Sequence, residues 1–272
     1  MKDGILAHAI VVAAYGVAAW LRWQQLRPQS VSEGKGERLA QLLTPLALAA
    51  HGTLLYQSVV TPDGPNLGFG NALSLVAWLA TLIGWLTTLA RPQPGLLAML
   101  LPAAAVCASV PIAIPSPHTL DAVNRPLATL HVAVALIGYA MFVVAVLQSV
   151  LLLWLEKRLH HGSLGALPAG VPPLLTLERL VFQLLRGAFA MLTLTVITGA
   201  FFSEALFDRA FRFNHKTVFS ILAWGVFAGL LFGRWRHGWR GRTALGWLLA
   251  GSVLLLLAYF GSKFVLEVLL GR

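Results

Sequence analysis

Runs of roughly 20 apolar residues, broken by short turn-forming segments, recur along the whole chain. A bilayer core needs about 20 such residues per helix, with roughly 17–25 tolerated. Eight runs qualify: Gly4–Leu21, Leu39–Val60, Phe69–Ala90, Leu96–Ile114, Pro126–Leu155, Leu184–Phe202, His215–Gly233 and Ala244–Leu270. In lipid every backbone polar group must be satisfied inside the protein, so isolated runs of this kind predict helices. Composition argues against a large soluble core. Only 11% of the 272 residues are charged, where a soluble domain carries about a quarter. Mean hydropathy is +0.77. The reading is an all-α polytopic membrane protein, a bundle of about eight transmembrane helices forming one integral-membrane domain over residues 1–272.

Turn signals separate the runs: "TPDGPN", "RPQPG", "PSPHTLDAVNRP" and "GALPAGVPP". Pro102 and Pro111 predict a kink in the fourth span. "LLTLERLVFQLLR" mixes charges with an apolar face and predicts a segment along the interface before the sixth span turns inward. The first run follows only Lys2 and Asp3, and its basic residues come after it. A cleaved signal has the opposite order, so this run reads as a retained span.

Charge orients the bundle. One set of loops holds Arg22, Arg27, Lys35, Arg38, Arg91, Lys157, Arg158, Arg179, Arg234, Arg236, Arg240 and Arg242; the other holds Lys2, Arg125, Arg209, Arg212, Lys216 and Arg272. The richer set is expected in the cytoplasm. "EGKGER" and "RLHHGSLGALPAG" are then cytoplasmic loops, and both termini lie on the outer, periplasmic side. The net charge of +10 is explained by those loops, so no nucleic-acid partner is expected. The single cysteine, Cys107, excludes an internal disulfide, a C-x-x-C thiol relay and a C-x-x-C-H haem attachment site.

With an orientation, the histidines sort by depth. His160, His161 and His237 fall among basic cytoplasmic residues, His8 near the outer end of the first span, and His118 in an outer loop. His51 lies inside the second span, about 13 Å from its outer end at 1.5 Å per residue. His131 is near the outer start of the fifth span and His215 at the outer start of the seventh. An imidazole in hydrocarbon must find a partner and faces the bundle interior or a cavity. One reading for these three is a helix–helix hydrogen bond, for example to Gln57, Tyr56, Tyr139 or a backbone carbonyl. The other is a ligand.

Zinc would want three or four closely set ligands. Asp63, Asp121, Glu204 and Asp208 stand at no recognisable spacing from a histidine. Haem suits an apolar cavity better: its iron takes imidazole, and its propionates need cations at a wet edge. "RFNHKTVFSILAW" crowds Arg212, His215 and Lys216 onto a helix start that is already electropositive. Such a site would hold propionates; lipid headgroups are the other reading. The preceding "AFFSEALFDRAFRF" reads as an interfacial aromatic segment. There is no G-x-S-x-G, no Gly-rich phosphate loop and no paired-acid motif, so no catalytic residue is assigned. Lys263 and Glu267, one turn apart, read as an ion pair. The spans lack the midplane carboxylates that a coupled carrier would use.

"NHKTVFSILAWGVFAGLLFGRWRHGWRGRTALGWLLAGSVLLLLAYFGSKF" and "LHVAVALIGYAMF" resemble the cytochrome c assembly superfamily, the CcsA/ResC and HemX-like transmembrane domain. The resemblance is clearest over residues 131–265. Its YpjD-type branch of bacterial inner-membrane proteins is the nearest in character, through "FNHKTVFSILAW" and the "H-x-x-L-L-Y-Q" helix at His51–Gln57. The resemblance implies a haem-binding or haem-handling protein of the bacterial inner membrane, with His51 and His131 as candidate haem-iron ligands and His215, Arg212 and Lys216 as further cofactor-binding residues. Implied partners are the lipid bilayer, haem and other inner-membrane or cytochrome biogenesis proteins. The haem-ligase members carry a Trp-rich outer loop ending in "WDPKE" and a second outer histidine. This chain has a Phe-rich loop with "NHKTV" in that place, and no histidine follows the cytoplasmic His237. The alternative is therefore a haem-free accessory or regulatory protein that keeps the fold and acts on another inner-membrane partner.

Overall fold

The computed structural model describes residues 2–26, 34–62, 64–91, 93–115, 126–160, 173–201 and 215–265. Among these, eight helices are long and apolar enough to cross a bilayer. They are α1 (Lys2–Gln25), α2 (Gly34–Val59), α3 (Phe69–Ala90), α4 (Pro94–Ala113), α5 (Pro126–His160), α6 (Leu174–Phe201), α7 (His215–His237) and α8 (Gly241–Leu256). A π turn, Leu257–Gly261, continues α8. Each expected span overlaps one helix.

Two boundaries differ from the sequence reading. α2 begins at Gly34, so most of "EGKGER" is helical rather than loop. Lys, Glu and Arg are good helix formers, and Glu37 suits the positive first turn; it accepts from Gln41 Nε2 at 3.1 Å. α6 runs unbroken through "LLTLERLVFQLLR", with no separate interfacial segment. Leu177, Val181, Phe182, Leu184 and Leu185 on that stretch are buried. Glu178 is neutralised by Arg234 on α7, at 2.5 Å.

Two apolar clusters form the interior. Val11, Tyr15, Ala18, Ala47, Leu97, Leu101, Ala104 and Ala108 join α1, α2 and α4. A larger cluster joins α3, α4, α5, α6, α7 and α8, and includes Leu100, Ala140, Ala188, Phe227 and Leu248. α4 belongs to both. Hydrocarbon gives helices no hydrophobic reason to associate, so close packing of small residues does much of the work. At Gly138 of α5, a Cβ would lie 3.2 Å from Met191 Cβ of α6.

Side-chain contacts fix which helix ends lie together. α2 passes to α3 through a short antiparallel bridge, Val60–Thr61 against Gly64–Pro65. Asn71 Nδ2 donates to Ser58 O and Asn66 O, tying α3 to that turn. Gly70 packs on Pro111 near the end of α4. Phe69 meets Phe260 and Phe264 at the end of the last helix, with ring centroids 6.3 and 5.5 Å away. Lys263 Nζ donates to Leu67 O at 2.7 Å and is buried. At the opposite end, the Arg234–Glu178 pair joins the end of α7 to the start of α6, and Gly241 at the start of α8 lies beside Glu156 near the end of α5.

Candidate functional site

His51 is buried, with 1% of its surface exposed, and lies about 12 Å from the end of α2. Its Nδ1 is 3.1 Å from the Tyr15 hydroxyl of α1, and its Nε2 is 2.8 Å from Ser74 Oγ of α3. The Tyr15 ring meets the imidazole edge-on, with centroids 5.6 Å apart. Both hydroxyls can donate or accept, so either neutral tautomer closes the chain Tyr15–His51–Ser74. Three helices are thus joined through one imidazole.

The partners are not the ones the sequence offered. Tyr56 and Gln57 follow His51 by five and six residues, which turns them about 140° and 240° around the helix axis. Tyr56 is exposed, with 68% of its surface accessible. Both residues line a groove of about 710 Å³ on the outside of α2 and α3, with Pro45, Gly52, Trp78 and Trp85. Trp78 donates from Nε1 to Leu48 O at 2.8 Å across that groove's lining. Tyr139 donates to Leu255 O at 2.7 Å.

His131 is half-buried between α5 and α6. Its Nδ1 lies 2.7 Å from Thr198 Oγ1. That hydroxyl also lies 2.8 Å from Leu194 O, in the back-bond common for Thr in helices, and the Nδ1–Oγ1 pair can run in either direction with the tautomer. Gly199 lets α6 approach the ring: a Cβ there would lie 3.4 Å from His131 Cε1.

Nε2 of His51 is engaged by Ser74, so His51 could take a metal there only after Ser74 gives it up. The contacts do not bring the two together: His51 belongs to the α1–α2–α3 junction and His131 to the α5–α6 pair. Both stand toward the end of the bundle that holds the α2–α3 turn, as does the start of α7. There His215 is exposed and Lys216 half-buried. Arg212 lies outside the described residues, as do the Phe-rich loop, His118, His161 and Glu267. His8 forms a bond to Gly4 O at 2.9 Å within α1. His237 stacks on Trp239 at 6.1 Å. Among the described residues no three His, Cys, Asp or Glu side chains gather as a metal site. Sequence reasoning missed Tyr15, Ser74 and Thr198. Each sits in an apolar helix with no local motif to mark it.

Residues 39–270 match a family described as Cytochrome C assembly protein. The chain is 32% identical over 243 residues to "Inner membrane protein YpjD" of Escherichia coli K12, covering 87% of this chain and 89% of that one. It is 23% identical over 291 residues to "Cytochrome c biogenesis protein CcsA" of Prochlorococcus marinus MIT 9303, covering 95% and 88%. A CcsA of Synechococcus sp. CC9902 is 24% identical over 285 residues, covering 95% and 91%. No solved structure matches.

Proposed function

The chain belongs to the Cytochrome C assembly protein family, and on that footing we propose that it binds or hands on haem within the bacterial inner membrane. One observation supports the ligand assignment: His131 stands half-buried between α5 and α6, with Nδ1 2.7 Å from Thr198 Oγ1. His131 would hold haem through a ring nitrogen, and the haem would supply an iron that takes imidazole. His51 is the second candidate ligand, with Tyr15 holding Nδ1 while Ser74 releases Nε2. His215 and Lys216, at the start of α7, and Arg212, just before them in sequence, would meet the propionates. The basic loops face the cytoplasm, which puts both termini on the outer side and the histidines in the outer half of the bilayer. Other inner-membrane or cytochrome biogenesis proteins are the expected partners.

An absorption spectrum of detergent-purified protein, with and without added haem, tests this. A Soret band that weakens in His131→Ala and His51→Ala is expected. A colourless protein that takes up no added haem overturns the reading.

A second reading is supported by the closed Tyr15–His51–Ser74 chain, in which the imidazole already has two partners. Here the protein is a haem-free accessory that acts on another inner-membrane protein. Recovery of a stoichiometric protein partner, with no pigment, would favour it.

A further inference from the structure

The segment "FGRWRHGWRGR", residues 232–242, turns α7 into α8. Its fold is closely determined. Gly238 N donates to Arg234 O at 3.1 Å and Trp239 N to Gly233 O at 3.3 Å. Gly238 and Gly241 hold φ of 68° and 57°, which other residues adopt at a cost. The Trp239 indole lies against Gly233, 5.1 Å from the Trp247 ring and stacked with His237.

One cation of the segment is used internally. Arg234 pairs with Glu178, donates to Trp239 O at 3.2 Å and covers the Phe182 ring at 4.4 Å. Three others, Arg236, Arg240 and Arg242, lie in the same turn and are exposed. Among the described residues none of the three has an acidic partner, and the nearby carboxylate is Glu156, beside Gly241. The face is therefore cationic on balance. Its flank is apolar: Trp235 is 80% exposed and Phe232 57%.

We propose that this turn binds the phosphodiester headgroup of an anionic phospholipid. Water would satisfy the guanidinium groups but not Trp235 and Phe232. A soluble acidic protein would leave those rings without a partner as well. A lipid serves both. Its phosphate matches the planar donor fork of arginine. Its glycerol and upper acyl carbons lie where interfacial aromatic rings settle. The turn closes two spanning helices, so it stands at the level of the headgroups, where basic pockets between helices take anionic lipids. The fixed backbone holds the three arginines within one short turn and lowers the ordering cost of binding. The proposal is independent of haem.

The experiment compares wild-type protein with Arg236→Gln/Arg240→Gln/Arg242→Gln, each purified in detergent. Phosphatidylglycerol, cardiolipin or phosphatidylcholine is titrated, and bound lipid is counted by native mass spectrometry. Wild type is expected to retain one or two anionic lipids and to prefer them at least tenfold over phosphatidylcholine. The triple variant keeps the Arg234–Glu178 pair and should lose that preference while its helical circular dichroism is unchanged. Brominated phosphatidylglycerol should quench Trp235 emission more than brominated phosphatidylcholine does, measured as the difference from Trp235→Phe. Equal retention of neutral and anionic lipid by wild type overturns the proposal. So does a triple variant that keeps its preference, or an acidic protein found on this face in place of lipid.

Discussion

The Tyr15 hydroxyl lies 3.1 Å from His51 Nδ1 and bonds α1 to α2 across 36 residues of sequence. Tyr15 has no measurable exposure, so the phenol has the imidazole rather than water as its partner. Tyr15→Phe removes the hydroxyl and keeps the ring. It should cost about 0.5–1.5 kcal/mol, the usual net worth of such a bond inside a membrane bundle. Thermal unfolding in detergent reads this as a lower midpoint; an unchanged midpoint would mean the bond contributes nothing.

Ser74→Ala separates a structural His51 from a ligating one. Losing the hydroxyl should lower the unfolding midpoint in either case. If His51 takes iron through Nε2, the same change removes a competitor, and haem affinity should rise severalfold in a spectroscopic titration. Weaker or unchanged haem uptake in a folded Ser74→Ala protein would remove His51 from the ligand set.

Thr198→Val takes away the hydroxyl bonded to Nδ1 of His131. Outer partners of metal-bound histidines are typically worth about 10–100-fold in affinity. A loss of that order in haem binding is expected, smaller than the loss in His131→Ala. Thr198→Ser, which restores the hydroxyl, should recover most of it. Equal behaviour of Val and Ser at this position would show that the bond does not position the ring.

Gln148 of α5 is 1% exposed, and neither amide atom has a hydrogen-bond partner among the described residues. An unsatisfied buried polar group costs about 1–3 kcal/mol. Gln148→Leu keeps the approximate volume and removes the cost, so the unfolding midpoint should rise. A lower midpoint would show that the amide has a partner in the folded protein, such as a buried water.

Much of the architecture was legible. Eight apolar runs of spanning length become eight helices, because a bilayer leaves a backbone of that composition no other satisfied form. Helix ends were harder to read, since charge marks a loop only when it stays unpaired. The mixed charges of "LLTLERLVFQLLR" read as an interfacial segment; Glu178 of that stretch is paired by Arg234, 56 positions later. The histidines could be sorted by position along their helices, but their partners could not. Which face His51 turns, and that Tyr15 and Ser74 meet it there, depends on how three helices are rotated against one another. Single polar residues in otherwise apolar helices carry no spacing pattern that reports such rotation. Nor does any spacing report that Lys263 reaches Leu67 O, 196 residues away; Glu267, read as its ion-pair partner, lies outside the described residues.

That contact bears on how the molecule is assembled during synthesis. The α1–α2–α4 cluster is drawn entirely from residues 11–108, so it can close while the C-terminal half is still on the ribosome, as N-terminal units generally do. Lys263 can reach the α2–α3 turn only after the final helix has been released into the membrane. It acts as a closing clasp, and a chain truncated shortly before it should insert its helices yet leave that turn open to proteases.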